Sequence, residues 1–484
     1  MSEKVAVIGL DCLPPELIFD RWLPMLPNMR SLVDHGLWGR LESTIPPITV
    51  PAWMCMMTGK DPGELGIYGF RNRRDFSYDG LSFPSYRSIT AETLWDVLGR
   101  NGKRSLLLGI PLTYPPKKIH GEMVSCFMTP NREVEFTYPA ELKREIAATV
   151  GEYLFDVRDS RTDDKDRLLN DIQTMTQKRF ELAEHLVKNH PWDFFMMVEM
   201  GTDRIHHGFW KFFDDQHPKY VAGNPYENAI RDYYIRLDEL IGKLINCFGK
   251  ETIVYVISDH GAKRMEGGIC LNQWLIENGY LTLKTNPETI TRFSVDMVDW
   301  ETTRAWGDGG YYGRLFLNVK GREPSGTVSS DQYENVLNKL AAQLEALGDE
   351  LGRPIGTKVY APKAVYKAAR NVAPDLIVYF GDLNWRSVGS IGHPSIWTHE
   401  NDTGPDDANH SQHGVFIRCS NRLAPSEKRE GLSIYDVAPT ILQDFNLEVP
   451  PGMGRHAVTN DGDTIYSEEE EAEIARRLED LGYL

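Results

Sequence analysis

Short apolar runs alternate with amphipathic stretches along the first part of the chain. Runs at residues 5–10 and 106–110 have the length and β-branched or leucine-rich character of buried strands. Between them, residues 26–36 and 93–99 place apolar side chains at helical spacing. This alternation of strand and helix predicts an α/β fold, in which a mostly parallel central sheet has helices on both faces.

The same rhythm continues further along the chain. Two more buried-strand runs occupy residues 194–198 and 253–257, and helical stretches at about 166–189 and 227–247 precede them. Late apolar runs at 376–380 and 415–417 predict additional strands. The central sheet is therefore expected to collect strands from both halves of the chain.

The pattern loosens in the middle of the chain and defines the predicted domains. Residues 268–373 combine a glycine-rich turn, an alternating strand at 314–319 and a helix at 330–347, which predicts an inserted cap with its own small sheet. The catalytic core is then expected to be formed by residues 1–267 and 374–484. A second irregular segment, 115–165, is interpreted as another insertion. The acidic tail from 467 to 484 predicts a terminal helix.

Composition and charge exclude several classes of protein. The chain has 484 residues, of which 41% are hydrophobic and 25% charged, values typical of folded globular proteins. Its formal net charge of −17 gives no field that would attract nucleic acid or an anionic membrane. No apolar run reaches the length of a membrane span, and no signal peptide is apparent. With six scattered cysteines that form no CxxC pair, the sequence predicts a cytoplasmic protein with reduced thiols.

Three apolar runs have an aspartate at or just beyond their carboxyl ends. These residues are Asp11, Asp203 and Asp259. Ligands of open α/β sheets bind at this edge, although a single aspartate there is more often a helix cap or turn residue. Three of them, two with nearby histidines, favour a metal site.

The histidines are spaced for shared ligation. Asp203 and His207 are four residues apart on a predicted helix and face the same way, whereas His206 points about 100° away. Asp259 and His260 are adjacent, and a turn at Gly261 would let both side chains reach one ion. Carboxylate and imidazole ligands suit Zn²⁺ and, less selectively, Mn²⁺.

A candidate nucleophile stands at the start of another predicted helix. Thr49 is followed by Pro51 in the first turn, so its hydroxyl would lie at the helix N-terminus. A threonine hydroxyl is inert at neutral pH unless a base or metal activates it. The alternative interpretation is that Thr49 is an ordinary helix N-cap.

Together these motifs resemble the alkaline phosphatase superfamily, and within it the type I phosphodiesterase/nucleotide pyrophosphatase branch with its phosphohydrolase and phosphomutase relatives. The segments that carry the resemblance span most of the chain: Ile8-Gly9-Leu10-Asp11, Leu26-Pro27-Asn28-Met29 with Gly36, residues 47–59, Pro62-Gly63, Gly66-Ile67, Asp203 with His207, Ser258-Asp259-His260-Gly261, residues 436–442 and residues 450–454.

The resemblance implies a two-metal site. One ion would be held by Asp203, His207 and a late histidine, and the other by the residues Asp11, Thr49, Asp259 and His260. Two divalent cations would balance three carboxylates and a threonine alkoxide, leaving a nearly neutral centre for an anionic phosphate. Two metals about 4 Å apart can clamp the attacking and leaving oxygens of an in-line displacement.

The late histidine is predicted to be His410. In mutase-like members of the superfamily, the metal histidine stands five residues before the next strand, and five residues after His410 is Val415. His413 lies nearer the strand and is a candidate substrate contact. His393 and His399 are weaker candidates in a loop.

The sequence also departs from the family pattern. Leu65 and Phe70 replace the histidine and the phosphate-binding asparagine of nucleotide pyrophosphatases, so the resemblance does not imply nucleotide substrates. Arg71, Asn72 and Arg73 follow directly and could donate to phosphate, or could form a solvated basic loop. The cysteine or serine and the arginine of the sulfatase motif are missing around Thr49.

These features predict a metal-dependent phosphodiesterase or phosphatase that uses a threonine nucleophile on a small organic phosphoester. Two alternatives stay open: a phosphomutase with the same metal site, and a catalytically idle binding protein on this fold. Serine is the usual mutase nucleophile, which favours hydrolysis. The predicted partner is a small-molecule phosphoester, with no nucleic acid and no membrane.

Overall fold

The computed structural model describes residues 4–420, 425–453 and 468–482. Parts of the predicted tail (467, 483 and 484) and residue 454 of the family-like segment lie outside these ranges. The described part of the tail forms a helix, as predicted.

The strands are β1 (Lys4–Leu10), β2 (Leu37–Glu42), β3 (Asn72–Arg73), β4 (Leu81–Ser82), β5 (Ser105–Leu108), β6 (Gly121–Val124), β7 (Thr137–Tyr138), β8 (Phe194–Glu199), β9 (Thr252–Ile257), β10 (Gly261–Arg264), β11 (Gly267–Cys270), β12 (Ala305–Asp308), β13 (Gly313–Leu317), β14 (Lys358–Tyr360), β15 (Leu376–Tyr379), β16 (Trp385–Val388), β17 (Trp397–Thr398), β18 (Ala408–Ser411), β19 (His413–Cys419), β20 (Glu427–Lys428) and β21 (Leu432–Ser433).

The helices are α1 (Pro27–Asp34), α2 (Thr49–Thr58), α3 (Pro62–Leu65), α4 (Leu94–Arg100), α5 (Leu142–Val150), α6 (Lys165–Asn189), α7 (Gly201–Phe213), α8 (Ala229–Cys247), α9 (Leu271–Glu277), α10 (Tyr333–Glu345), α11 (Pro362–Val365), α12 (Val437–Asp444) and α13 (Glu468–Asp480). A π-helical segment covers Glu16–Trp22, and 3₁₀ turns cover Leu23–Met25, Tyr86–Ser88, Val295–Met297, Phe380–Leu383 and Ile434–Asp436.

The central sheet has the order β20-β2-β19-β9-β1-β8-β5-β6-β7, with β21 also paired to β2. Its middle strands β9, β1, β8, β5 and β6 are parallel, and β19 and β7 are antiparallel to their neighbours. The central strands are buried along their whole length, which explains their continuous apolar sequences. The predicted α/β fold with a mostly parallel sheet is confirmed.

Two groups of helices pack on the sheet. One group contains α1, α5, α6, α7 and α8, and the other contains α2, α3, α4 and α12. The long helix α6 begins where the side chain of Asp164 accepts a hydrogen bond from the backbone N–H of Arg167 at 3.2 Å, which caps its first turn. Helices thus cover both faces, as the alternating pattern predicts.

The middle of the chain forms a second, smaller sheet with the order β12-β13-β15-β14, and α10 packs on it around a separate hydrophobic cluster. The apolar run predicted at 376–380 forms β15 and pairs in this small sheet, so it does not join the central one. The cap at 268–373 stays a prediction, and β15 lies just beyond its predicted end.

The irregular segment 115–165 contains β6, β7 and α5. Strands β6 and β7 complete one edge of the central sheet, since β6 pairs with β5 in parallel and β7 with β6 in antiparallel orientation. The segment is thus partly built into the sheet. The interpretation of this segment as an insertion stays a prediction.

Two further features bear on the environment of the protein. All six cysteines are free thiols, and five of them are buried. Among the described residues, no helix combines the length and apolar character that crossing a bilayer requires.

Candidate metal centre

The site lies where three neighbouring strands of the central sheet end. Strands β9, β1 and β8 lie side by side, and their registers align Gly9 with Ile257 and Leu10 with Glu199. Their carboxyl ends therefore meet at one edge, where the turns after β1 and β9 place Asp11 and Asp259 and the first turn of α7 places Asp203. All three aspartates are fully buried.

Asp11 is oriented by two side chains from α2. Its Oδ2 accepts a hydrogen bond from Trp53 Nε1 at 2.7 Å, and its Oδ1 lies 3.3 Å from the hydroxyl of Thr49. Trp53 can approach because residue 9 is glycine: a Cβ there would lie 2.6 Å from the indole ring. The apolar helix α2 thus packs on β1 and fixes one carboxylate.

Asp259 and His260 complete a first group of ligand side chains with Asp11. His260 Nε2 lies 3.2 Å from Asp259 Oδ2 and 3.9 Å from Asp11 Oδ1. The backbone N–H of Cys12 donates to Asp259 Oδ1 at 3.2 Å. One ligand atom from each of these three side chains lies within 4.8 Å of the others.

A second group is formed by Asp203, His207 and His410, with Cys12 beside them. Asp203 and His207 are one turn apart on α7, and His207 Nε2 lies 3.3 Å from Asp203 Oδ1. His410 Nε2 lies 3.8 Å from the same oxygen. His206 points elsewhere and its Nε2 contacts the Tyr234 hydroxyl at 2.8 Å, as helical spacing predicts.

His410 reaches the centre through a two-stranded ribbon. Strand β18 pairs with β10, which follows directly on His260, and this register places His410 opposite Ala262. His410 is 1% exposed and its ring stacks on that of His260 at 3.9 Å. A residue about 150 positions later in the chain is thus brought beside the ends of the central strands.

Each histidine uses one ring nitrogen for orientation. Nδ1 of His260 lies 3.1 Å from the carbonyl oxygen of Gly261, and Nδ1 of His410 lies 2.8 Å from that of Pro47. Nδ1 of His207 lies 2.7 Å from Asp406 Oδ1. A proton on each Nδ1 satisfies these oxygens and directs each Nε2 at the aspartates, where it can bind a cation once it carries no proton.

Burial and mutual repulsion disfavour the ionised forms of Asp11 and Asp259 when no cation is bound. Burial, with the nearby charge of Asp203, raises the pKa of Asp11 to about 8. Burial and the charge of Asp11 also raise the pKa of Asp259 well above its usual value. Burial lowers the pKa of His260 to about 4, which keeps its imidazole in the neutral form that binds metals.

The donor set fits divalent cations. Asp259 Oδ2 and His207 Nε2 are buried and form no hydrogen bond with any residue that the structure describes. Such groups are costly unless a ligand satisfies them. Carboxylate oxygens and imidazole nitrogens are ligands of Zn²⁺ and Mn²⁺, so the two groups match two metal positions.

Thr49 faces the first group and does not cap its helix. It is the first residue of α2, whose N-cap position is Ile48 and has no side-chain cap. The Thr49 hydroxyl lies 3.3 Å from Asp11 Oδ1 and 3.3 Å from His260 Nε2. The alternative interpretation of Thr49 as an N-cap is therefore wrong, because its hydroxyl is directed at the centre.

Asp406 acts on the centre through its contact with His207, and no sequence pattern indicated this residue. It contacts His207 Nδ1 and forms ion pairs with Arg161 and Arg386, all in the interior. Arg161 also donates to the carbonyl oxygen of Leu481 at 3.1 Å, which ties the end of α13 to this cluster. Asp406 stands four residues before His410, but its partners are up to 245 residues away in sequence.

The arginines and asparagine predicted to bind phosphate have partners in the protein. Arg71 Nη2 lies 3.4 Å from Asp308 Oδ1. Asn72 accepts a hydrogen bond from the backbone N–H of Tyr68 at 2.8 Å, and buried Arg73 pairs with Glu323 at 3.2 Å.

The remaining candidate histidines lie apart from the ligand groups. His413 begins β19 opposite Glu42 and is exposed, in contrast to buried His410. His393 Nε2 contacts the Ser390 hydroxyl at 2.8 Å, and His399 Nδ1 lies 3.1 Å from the carbonyl oxygen of Glu266. None of the three belongs to the groups of potential metal ligands found among the described residues.

Comparison with known protein families identifies the chain as a phosphoester hydrolase. This confirms the resemblance seen in the sequence. The chain belongs to the type I phosphodiesterase / nucleotide pyrophosphatase family, which it matches over residues 5–414. No curated protein has a significant sequence match to the chain.

Solved structures share the fold at low sequence identity. Human ectonucleotide pyrophosphatase/phosphodiesterase 5 is 14% identical with a TM-score of 0.54, over 93% of this chain and 96% of that one. An inactive threonine-to-alanine variant of the murine protein in complex with AMP is 13% identical with a TM-score of 0.53, over 93% and 97% of the two chains. Phosphonoacetate hydrolase from Sinorhizobium meliloti, in complex with phosphonoformate, is 14% identical with a TM-score of 0.58, over 92% and 96%.

Proposed function

We propose that the protein hydrolyses a small organic phosphoester with two divalent metal ions and Thr49 as nucleophile. One ion would be held by Asp203, His207 and His410. The other would be held by four residues: Asp11, Thr49, Asp259 and His260. The observation that carries the proposal is the position of the Thr49 hydroxyl, 3.3 Å from ligand atoms of both Asp11 and His260.

The surrounding residues prepare Thr49 for attack. When bound, the cations would lower the pKa of the threonine hydroxyl and offset the charge of the phosphoryl group. Helix α2 directs its N-terminal backbone N–H groups toward the same place, which favours an anionic substrate. Trp53 holds Asp11, and the carbonyl oxygen of Pro47 holds His410, so the ligand side chains are oriented before substrate arrives.

The proposed reaction has two steps. The Thr49 oxygen forms a bond to phosphorus while the bond to the leaving oxygen breaks, and this gives a phosphothreonine. Water then attacks the same phosphorus from the opposite side and releases phosphate or a phosphomonoester, which regenerates the threonine. The inactive threonine-to-alanine variant among the structural neighbours supports a threonine role in this fold.

We propose a small phosphodiester or phosphomonoester as substrate, with the zinc form as the active one and manganese as a substitute. The neighbouring structures contain AMP and phosphonoformate. Buried Phe70 and Leu65 stand where nucleotide pyrophosphatases have polar residues, so nucleotides are not preferred in this proposal. Arg71 and His413 stay candidate substrate contacts. The free cysteines support the cytoplasm as the compartment.

The test is a panel of phosphodiesters and phosphomonoesters offered to purified protein loaded with Zn²⁺ or Mn²⁺. Thr49→Ala should lower kcat by several orders of magnitude while the protein stays folded and keeps most of its metal. The matched control is Thr58→Ala, which removes a buried hydroxyl from the same helix that donates to the Met54 carbonyl oxygen. This control should retain activity.

The outcomes separate the competing functions. If Thr49→Ala keeps more than about a tenth of the activity, Thr49 is not the nucleophile. Transfer of phosphate to another hydroxyl of the substrate, without release of free phosphate, would identify a mutase. Metal binding without turnover of any ester would favour the idle binding protein.

A further inference from the structure

The residue after Asp11 is a cysteine held in an unusual backbone conformation. Cys12 has a φ of 60°, in the left-handed region that L side chains rarely adopt, and its side chain is fully buried. Its backbone N–H donates to Asp259 Oδ1 at 3.2 Å, and its thiol lies 3.5 Å from the carbonyl oxygen of Gly261. The turn therefore places a sulfur atom beside Asp203, His207 and His410.

We propose that Cys12 Sγ is a ligand of the cation held by Asp203, His207 and His410. This inference rests on the proposed two-metal function and adds a thiolate to the carboxylate and imidazole ligands. It makes the site a mixed sulfur, nitrogen and oxygen centre, with a preference for Zn²⁺ over Mn²⁺ and Mg²⁺.

The geometry supports a fourth ligand at this position. Sγ of Cys12, a carboxylate oxygen of Asp203 and a ring nitrogen from each of His207 and His410 all lie within 4.8 Å of one another. These four atoms are thus close enough together to share one cation, to which a substrate oxygen would bind as an additional ligand.

A second observation points to a cation in this group independently of the cysteine. His207 Nε2 is directed into it and forms no hydrogen bond within the described part of the chain, although the ring is buried and Asp406 holds its other nitrogen. A cation that replaces the proton on Nε2 would be held by the lone pair of this nitrogen. Cys12 contributes its sulfur to the same space.

The type of ligand decides which cations this site would prefer. Binding would release the thiol proton to solvent, since a coordinating thiol is deprotonated. Thiolates are soft ligands, so this site would discriminate against the hard ions Mg²⁺ and Mn²⁺.

The experiment is to load the full chain with Co²⁺ and record its absorption spectrum. Cobalt bound to a thiolate gives an intense charge-transfer band in the near ultraviolet, whereas oxygen and nitrogen ligands do not. The wild type should bind two Co²⁺ and show this band. Cys12→Gly should lose it, and this variant is suited to fold because glycine accepts the positive φ. Cys126→Ala, which removes another buried free thiol, is the control and should keep the band.

Competition with a chelator gives a second readout. Cys12→Gly should weaken one Zn²⁺ site by at least about tenfold and change Mn²⁺ affinity much less. Two bound Co²⁺ without the band, or a band that persists in Cys12→Gly, would overturn the role of Cys12 and leave the two-metal hydrolase intact. Failure of the wild type to bind two Co²⁺ would overturn the two-metal proposal itself, and the cysteine ligand with it.

Discussion

Asp406 Oδ1 lies 2.7 Å from Nδ1 of His207, and both groups are buried. Although burial opposes it, the charges of Arg161 and His207 lower the pKa of Asp406, so its carboxylate is ionised. The charges of Asp406 and Asp203 outweigh burial in the same way and raise the pKa of His207 to about 9. The Asp406 carboxylate therefore accepts a hydrogen bond from the protonated Nδ1 of His207. This contact directs Nε2 of His207 toward Asp203.

The first prediction is that Asp406→Asn weakens one of the two metal sites. Asparagine preserves the shape of the side chain but removes the charge that orients His207, so the affinity of that site should fall about 10- to 100-fold. Competition titration with a chelator measures this. The control is Asp407→Asn, which changes the adjacent buried carboxylate that pairs with Lys211 at 3.5 Å. Equal losses in both variants would show a general effect of buried charge.

The second prediction concerns metal content. Elemental analysis of gently purified protein should find about two divalent ions per chain, because two separate ligand groups are present. Chelation should abolish activity, and Zn²⁺ or Mn²⁺ should restore it. It should also lower Tm, since bound cations stabilise the folded state and their loss leaves the buried carboxyl groups of Asp11 and Asp259 without a positive partner. Full activity after exhaustive chelation would rule out the two-metal proposal.

Part of this centre could be predicted because its signals are local. Apolar runs define β1, β8 and β9, and the residues after parallel strands share one edge of the sheet, so three aspartates could be placed together from sequence alone. Helical spacing paired Asp203 with His207 and separated His206. Each of these inferences uses neighbours within a few residues.

The supporting contacts have no such local signal. The buried charge of Asp406 is balanced by Arg161 and Arg386, which distant parts of the chain bring to it. The run at 376–380 has the apolar character of a buried strand in either sheet, and only its pairing with β13 and β14 assigns β15 to the small one. Strands of two residues, such as β3, are too short to show any periodicity.

The third prediction is a pH dependence of stability at His190. Its Nδ1 lies 2.7 Å from Glu122 and its Nε2 lies 2.8 Å from Glu145. Burial acts against it, but these two carboxylates raise the pKa of His190. Its stabilising contribution is therefore complete below the unfolded pKa of about 6.5 and is lost as pH rises through the higher folded value.

His190→Gln should accordingly lower Tm at about pH 6 and have less effect at about pH 9. Solvent screening limits the contribution to about 0.5 kcal/mol, or a shift of about 1 °C. Thermal unfolding at both pH values measures the difference. His120→Gln is the control, because the exposed His120 contacts the carbonyl oxygen of Lys103 and forms no ion pair with a carboxylate among the described residues. A shift that is the same at both pH values would exclude the ion pairs as its cause.

The fourth prediction distinguishes the two late histidines. Both precede or begin β19, but the ribbon of β10 and β18 carries only His410 inward, where its Nε2 lies 3.8 Å from Asp203 Oδ1. His413 is exposed on the neighbouring strand. His410→Ala should therefore lose about one metal ion per chain, and His413→Ala should keep both.

The pair is a matched comparison because the two residues are three positions apart and undergo the same truncation. Elemental analysis and activity should be measured on both variants. If His413→Ala keeps its metal but shows a higher KM with unchanged kcat, His413 contributes to substrate binding. If His413→Ala loses the ion and His410→Ala does not, the ligand role belongs to His413, and the inward ring of His410 only packs against His260 and Tyr311.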